Sequence, residues 1–240
     1  SEIFYVNMDT IYMTSNIFYH KEHLYSKKNK YKKIIKDSNW DKYLGSYGWV
    51  SIDQQWKYKL SQQSEINLYG LLECGGHGDC LFHCLAEGLN NILVPEESKY
   101  DSQQLRVLAA EQINKDNFDL ILGSYKLEAP NLDWDPEMIF SVENLQDEIK
   151  QEGHNFWGDH IIIQLLEQAL EVNIVILDSL STSIYNTCSL FKKEYKTVFL
   201  YYQDNIHFQL VGYFDKIMKT NFKYSEIPNE LAYLINQSNN

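Results

Sequence analysis

The sequence predicts an α/β fold in which a central mixed sheet of about five strands lies between helices. Short runs rich in β-branched and aromatic residues mark the strands, and the clearest are Asn173–Leu177, Lys196–Tyr202 and Ile206–Phe214. Longer segments with apolar residues at helical spacing, such as Leu81–Leu89 and Ser102–Ile113, precede them. The composition, 44% hydrophobic and 22% charged, is that of an ordinary globular protein.

The first quarter of the chain is aromatic-rich and has no clean period. We interpret the basic run Lys27–Lys33 as a solvated helix face, with a contact for an acidic partner surface as the alternative. Trp40–Trp56 is either a turn packed on the core or an exposed recognition patch. Asp53–Glu65 is predicted to be a polar helix that delivers the chain to Leu71.

Prolines, capping residues and strand-like runs predict further helices and one further strand. We expect Pro136 to start a helix that ends near Gly153, and Asp159 to cap a buried helix. A further strand is predicted over Ile184–Leu190 and a C-terminal helix over Pro228–Ile235.

Charge and composition exclude several classes of protein. The net charge of −12 argues against a nucleic-acid partner, which requires clustered basic residues. No run approaches the ~18 apolar residues of a membrane span, and no signal peptide is recognised. Arg106 is the only arginine beside 20 lysines, and Asn, Ile and Tyr are abundant. This skew hints at an AT-rich genome, as in some intracellular bacteria and large viruses.

The most informative stretch is Glu73–Asn90, where a glycine-rich turn leads directly into an apolar-periodic helix. The helical spacing of the leucines places Cys80 on the first turn, where the helix dipole favours a thiolate. The preceding glycines allow a tight turn that aims backbone N–H groups at a developing negative charge. The pattern is typical of a cysteine nucleophile beside an oxyanion hole. Cys84 and Cys188 we interpret as core cysteines.

A base for this nucleophile is predicted far downstream. Gln203-Asp204-Asn205 signals a turn, and the strand that follows it places His207 on the face opposite its most apolar residues. His207 therefore faces a cleft at the start of a strand, which suits a Cys–His pair assembled by the fold. A thiolate nucleophile also indicates a reducing compartment.

A zinc site is the competing chemistry for the same stretch. Its cysteines and histidines fall at ligand-like spacing, namely Cys74, His77, Cys80, His83 and Cys84. The helical apolar pattern disfavours this interpretation, because three of the ligands would have to turn away from a helix that buries its apolar face. We therefore expect no metal and no cofactor.

Three blocks in order resemble the ovarian-tumour (OTU) family of cysteine proteases. Gly78–Phe82 resembles the family's nucleophile motif, Asp-Gly-Asn/Asp-Cys-Leu-Phe. Phe156–Asp159, with the helix and strand after it, is similar to the family's Trp-Gly block. Ile206–Phe208 matches its His-aromatic strand, and the set spans Leu71–Phe214. The resemblance implies a papain-type fold and a deubiquitinase that cleaves after the C-terminal glycine of ubiquitin without a metal.

Two positions depart from the family pattern. His77 stands where the family has Asp, and Gln209 stands where it has Asn or Asp. Gln209 shares a strand face with His207 and could orient its ring, but it cannot stabilise an imidazolium as a carboxylate would. The orienting carboxylate could instead be Asp204 or come from the N-terminal region.

The resemblance also assigns roles to the other site residues. Cys80 is expected to form a thioester while His207 acts as general base and acid, with Gly78, Asp79 and the nearby His77 around the oxyanion. The Trp157 block is more often structural than catalytic, but its ring could help to form a narrow substrate channel. The segment Tyr125–Asn155 occupies the place of the family's variable substrate-binding elements.

The chain divides into an N-terminal extension, 1–64, for substrate recognition or packing onto the core, and a catalytic domain, 65–240. Expected partners are ubiquitin or polyubiquitin, with ubiquitin-like modifiers left open, and the chain is expected to be a monomer. We expect a cytoplasmic location, which would be the host cytosol for a secreted effector or viral protein. The alternative is a catalytically weak or inactive ubiquitin-binding module.

Overall fold

The computed structural model describes residues 10–61, 64–90, 100–187 and 190–238. Two sheets organise these residues, and helices pack around the larger sheet. Cys188, predicted to be a core cysteine, lies outside the described residues.

The first sheet is a four-stranded antiparallel meander near the N-terminus. Its strands are β1 (Thr10–Tyr12), β2 (Ile17–His20), β3 (His23–Lys28) and β4 (Tyr31–Ile34). Ile17 and Leu24 on its inner face join the main hydrophobic core. The expectation of a helix over Lys27–Lys33 is wrong, since these residues form the end of the β3–β4 hairpin. Asn29 adopts a left-handed conformation there (φ 57°), which asparagine tolerates in tight turns.

The second sheet is mixed and forms the centre of the molecule. Its strands are β5 (Trp49–Ser51), β6 (Tyr69–Leu72), β7 (Val172–Asp178), β8 (Ile184–Asn186), β9 (Lys196–Gln203), β10 (His207–Asp215) and β11 (Ile217–Lys219). The order is β5-β6-β10-β9-β7-β8, with β11 paired to β10. Only β7 and β9 are parallel among the described pairs. The α/β class is confirmed; seven strands replace the predicted five because β5 and β11, three residues each, are too short to show a pattern.

Helices cover both faces of this sheet. They are α1 (Trp40–Leu44), α2 (Gln54–Ser61), α3 (Cys80–Leu89), α4 (Ser102–Glu111), α5 (Phe118–Glu128), α6 (Val142–Ile149), α7 (His160–Leu170) and α8 (Asn229–Ser238). Short 3₁₀ turns occur at Gly45–Tyr47, Ala129–Asn131, Pro136–Met138, Gly153–Asn155 and Tyr224–Glu226. Helices α3, α4, α6 and α7 bury one face, whereas α2 and α8 bury the other. Alternate residues of β7, β9 and β10 supply the two cores.

Several local predictions are refined by the structure. Trp40, Trp49 and Trp56 are all buried, so the Trp40–Trp56 segment is packed on the core and is no exposed patch. Pro136 begins only a 3₁₀ turn, because Ser141 caps a separate helix, α6, by accepting from the Asn144 N–H at 3.1 Å.

The division of the chain at residue 64 stays a prediction. Strand β5 precedes that position and pairs with β6, which follows it. None of the helices within the described ranges combines the length and apolar character that a membrane-spanning segment needs.

The start of α7 contains a capping carboxylate, as the sequence predicts. Asp159 caps the helix by accepting from the Ile162 N–H at 2.9 Å, and the Tyr125 hydroxyl donates to the same oxygen at 3.4 Å. Burial raises the pKa of Asp159 to about 6, and these hydrogen bonds offset only part of the shift. The capped helix leads from the Trp157 loop into the sheet.

We expect Asp159→Asn to change how stability depends on pH. The folded carboxyl titrates near 6 and the unfolded one near 3.8, so the folded state binds more protons between these values. Wild-type stability attributable to this group is therefore present below pH ~4 and lost as the pH rises to ~6. The uncharged variant should lack this loss, which amounts to about 1–3 kcal/mol. Urea unfolding from pH 4 to pH 7 measures it, and parallel curves for the two proteins would contradict the assignment.

Candidate active site

Cys80 is the first residue of α3, and this predicted position at a helix start is confirmed. The side chain is only 3% exposed. Burial raises the pKa of the Cys80 thiol, while the backbone N–H groups of Phe208, Leu81 and Cys80 itself act in the opposite direction. The expectation of a lowered pKa is therefore wrong, because removal of water from the thiolate outweighs the N–H groups around it.

Strand β10 packs against α3, and His207 is the first residue of that strand. The Phe208 N–H is directed at the Cys80 sulfur. One helical turn later, the Cys84 thiol donates to the Phe208 carbonyl at 3.4 Å. Both backbone groups of Phe208 thus face α3, and His207 is the residue immediately before it. The alternation of buried and half-buried residues along β10 confirms that His207 lies on the less apolar face.

The partner of His207 is Glu73, a residue that the sequence analysis did not select. His207 Nε2 lies 2.7 Å from both carboxylate oxygens of Glu73. Glu73 directly follows β6, and Leu72 at the end of β6 pairs with Leu210 of β10. Continuing this register by one residue places Glu73 across from Gln209, two positions from His207. The pairing register between β6 and β10 identifies Glu73 as the partner of His207, but the hydrophobic pattern of the sequence does not give that register.

The two residues predicted to orient the histidine make other contacts. Gln209 Nε2 donates to the Glu73 carboxylate at 3.4 Å instead of meeting the His207 ring, so it supports the carboxylate. Asp204 lies in the β9–β10 turn with φ 51°, and its N–H donates to Ser179 Oγ at 2.8 Å. The structure therefore supplies the carboxylate from the loop that precedes the nucleophile.

The loop between β6 and α3 is tightly constrained. Gly78 has φ 92°, and a Cβ at this position would lie 2.0 Å from the Gly153 carbonyl oxygen, so only glycine fits. His77 is also left-handed at φ 60°. The Asp79 N–H donates to the Gly76 carbonyl at 3.3 Å inside the loop.

Arg106, the only arginine of the chain, holds this loop in place. Its guanidinium is fully buried and donates to the Asp79 carboxylate through Nε at 3.0 Å and Nη2 at 2.6 Å. It also donates to the carbonyls of Ile149 and Phe156, at 2.9 Å and 2.8 Å. The planar, five-donor head group suits such a buried hub better than a lysine ammonium.

Asp79 is therefore an anchor of the nucleophile loop. One of its oxygens takes both bonds from Arg106, and the other accepts from the Gly153 N–H at 2.9 Å. The Arg106 guanidinium also lies 4.2 Å from the centre of the Phe82 ring on α3. One side chain thus connects the loop, the nucleophile helix and the segment between α6 and α7.

His77 closes a second link between the same two segments. Its Nδ1 lies 3.2 Å from His154 Nε2, and the His154 ring packs against Trp157 with centroids 5.7 Å apart. His77 thus contacts the neighbouring loop and not the Cys80 sulfur directly.

Trp157 lines a cavity of about 290 Å³. The cavity also contains Trp134, Tyr202, Ile206 and Phe208, which gives it aromatic walls. The Trp157 Nε1–H is buried, and within the described residues it has no hydrogen-bond acceptor. The use of this cavity as a substrate channel stays a prediction.

A second cavity, of about 720 Å³, opens on the other side of Glu73. Its walls include carboxylates, namely Glu73, Asp79, Glu87, Asp101 and Glu152. Glu73 thus lines an acidic cavity, whereas Ile206 and Phe208, the neighbours of His207 in the chain, line the aromatic one.

The residues of the rejected zinc pattern have separate partners. The Cys74 thiol donates to the Leu72 carbonyl at 3.6 Å, His77 contacts His154 and Cys84 donates to Phe208. Across the described ranges, no three His, Cys, Asp or Glu side chains converge as metal ligands would. Cys84 is fully buried in the main core, as predicted.

We expect Arg106→Lys to destabilise the protein strongly. Lysine cannot serve both Asp79 and the carbonyl acceptors, so buried polar groups lose their partner and unfolding free energy should fall by about 2–4 kcal/mol. Lys126→Gln is the control, because its ion pair with Glu137 is on the surface and should contribute less than about 1 kcal/mol. Denaturant unfolding measures both, and equal effects would contradict the role of the Arg106 hub.

Comparisons with known proteins place this geometry in a family. A family model described as OTU-like cysteine protease matches residues 75–209, more than half of the chain. No curated protein sequence matches the chain. The resemblance drawn from the three motif blocks is thereby confirmed.

The chain is also similar to solved structures. One is an OTU domain in complex with ubiquitin, with 15% identity and a TM-score of 0.48, covering 71% of this chain and 82% of that one. An OTU deubiquitinase from Wolbachia pipientis wMel has 14% identity, a TM-score of 0.43, and coverages of 62% and 91%. The Hazara virus OTU bound to ubiquitin has 18% identity, a TM-score of 0.37, and coverages of 61% and 82%. By the family model that spans its nucleophile and histidine segments, the chain belongs to the OTU-like cysteine protease family.

Proposed function

We propose that the chain is a cysteine-type deubiquitinase that hydrolyses the bond after the C-terminal glycine of ubiquitin. The observation that supports this most directly is the His207–Glu73 pair, at 2.7 Å, beside the start of the helix that begins with Cys80. A cysteine, a histidine and an orienting carboxylate are the groups that thiol acyl transfer requires. Membership of the protease family supports the reaction class, and the resemblance of the motif blocks supports ubiquitin as the substrate.

The reaction begins with a proton transfer. Because burial raises the pKa of the Cys80 thiol, the resting sulfur is neutral, and His207 accepts its proton as the sulfur attacks the substrate carbonyl. The Glu73 carboxylate holds the His207 ring and stabilises the imidazolium that forms. Glu73 thus has the positioning role for which the sequence offered Gln209.

The remaining steps use the same groups. The backbone N–H of Cys80, with the Gly78 segment of the loop, stabilises the oxyanion of the tetrahedral intermediate. His207 then protonates the departing lysine amine, which leaves a thioester on Cys80. Water, deprotonated by His207, attacks the thioester, releases the ubiquitin carboxylate and restores the thiol.

The two cavities suggest how the substrate lies. The aromatic cavity contains Trp157 and Phe208, and we propose that these flat rings bound the path of a tail that ends in two glycines. We therefore propose that the tail enters past Trp157 and that Asp79 and His77 maintain the loop without contacting it. We propose a cytoplasmic site of action, which the free thiols of Cys74, Cys80 and Cys84 support.

Cys80→Ala should abolish ubiquitin cleavage and covalent labelling by a ubiquitin probe with a C-terminal electrophile. Activity should fall by roughly 10⁴-fold or more, because the attacking sulfur is lost. Cys84→Ala is the matched control on the same helix face, and its adduct should persist. Intact-mass measurement of the adduct and a diubiquitin cleavage assay give the readouts. If the wild type binds ubiquitin but forms no adduct, the chain is the inactive binding module.

Glu73→Gln should lower kcat by about 10²-fold while KM changes little, because the imidazolium loses its counter-charge in the transition state. Glu73→Asp should recover part of the rate, whereas a purely structural role would not distinguish charge in this way. Gln209→Ala should cost less than about tenfold, since the Gln209 side chain acts through its hydrogen bond to Glu73. Glu87→Gln, on the same acidic cavity, is the control. A larger loss in Gln209→Ala than in Glu73→Gln would reverse the assignment.

A further inference from the structure

The charges of this acidic protein are strongly segregated. The hairpin Tyr25–Ile34 contains five lysines and no acidic residue, namely Lys27, Lys28, Lys30, Lys32 and Lys33. The rest of the chain has 16 Lys and Arg residues against 33 Asp and Glu residues. We call the tip of this hairpin, Lys27–Lys32, the lysine tip.

The lysines of the tip project from both faces of the hairpin and from its turn. Lys27 pairs directly with Lys32, and Lys28 pairs with Tyr31, so the two pairs project from opposite faces. Lys30 lies in the turn between them. At ~3.3 Å per residue, these ammonium groups lie within about 10 Å of the hairpin end. Tyr31, with 71% of its surface exposed, accompanies them.

This arrangement is unfavourable for the isolated protein. Like charges directly across a sheet, as at Lys27 and Lys32, destabilise the pairing. Among the described residues, no ion pair involves any hairpin lysine. The Lys33 ammonium instead lies 6.0 Å from the Tyr43 ring of the main body. An external anionic surface would remove the repulsion at the tip.

We propose that the lysine tip docks end-on to an anionic phospholipid bilayer. A flat partner protein would contact one face of the hairpin and leave half of the lysines unpaired, whereas a bilayer surface meets the whole tip. Lysines are attracted to anionic headgroups, and tyrosine is favoured at the membrane–water interface. The acidic remainder of the protein is repelled by the same surface, which orients the molecule with the hairpin towards the membrane.

Single-stranded nucleic acid fits the geometry less well. Base stacking requires open aromatic faces, and the exposed Tyr31 ring at the tip has the Lys30 ammonium 5.7 Å from its centre. The central ring on the outer face of the first sheet, Phe18, is only 3% exposed. Tyr12 and Tyr25 pack against it, with centroids at 5.4 Å in each case, and the Lys32 ammonium lies 5.6 Å from its ring centre.

The test is flotation of the full chain with phosphatidylcholine vesicles that contain or lack phosphatidylserine. Wild type should float only with the anionic vesicles, and high salt should release it. A quadruple variant, K27Q/K28Q/K30Q/K32Q, should lose several hundred-fold in partitioning, at about fivefold per lysine. Its melting temperature should not fall, because it removes like-charge repulsion. The Cys80→Ala background separates this result from any failure of the proposed activity.

The control variant removes four exposed lysines elsewhere, as K115Q/K126Q/K193Q/K196Q, and should float like wild type. Equal flotation with neutral vesicles, or an equal loss in the control variant, would overturn the proposal. Aggregation of the tip variant with unchanged vesicle binding would show that the lysines only protect the edge strand β4. Competition by single-stranded RNA at lower concentration than the vesicles would assign the tip to nucleic acid.

Discussion

The buried bond between Arg106 and Asp79 is the constraint on which the rest of the site depends. A charge buried without a partner is costly, so each member of this pair fixes the position of the other. Asp79 precedes the nucleophile directly, and the same guanidinium reaches the segment that leads to Trp157 through the Phe156 carbonyl. The nucleophile loop and the channel wall are therefore positioned by one side chain. Only a guanidinium offers enough hydrogen-bond donors in one plane for this role, which explains why the chain has one arginine beside its 20 lysines.

The proposed catalytic groups come from two parts of the sequence, since Glu73 and Cys80 are seven residues apart and His207 lies far downstream. Glu73 comes from the end of β6, Cys80 from the start of α3 and His207 from the start of β10. Because β6 and β10 are neighbouring strands, the carboxylate and the imidazole meet through ordinary sheet pairing. The helix that begins with Cys80 packs against the same strand, where the Cys84 thiol donates to the Phe208 carbonyl.

Much of this architecture could be predicted from the sequence, and the failures have physical reasons. Cys80 and His207 were accessible because a glycine turn before a periodic helix and a period-2 strand are local signals. Glu73 was not accessible, since its role depends on the register between strands more than a hundred residues apart. The pKa of Cys80 was mispredicted because the helix dipole is a local effect, whereas dehydration depends on how the whole fold packs. The Lys27–Lys33 run was wrongly predicted to be helical, because lysine is common in helices and in strands alike. The residue that decides for a hairpin is Asn29, which adopts the left-handed conformation of its turn.

The central position of β10 has a consequence for the newly made chain. This strand contributes the base, yet it is inserted between β6 and β9. During translation, the sulfur and the carboxylate emerge from the ribosome well before the histidine does. A nascent chain that has not yet reached β10 therefore lacks the histidine, and a truncated product that ends before β10 would be a thiol protein without hydrolytic capacity.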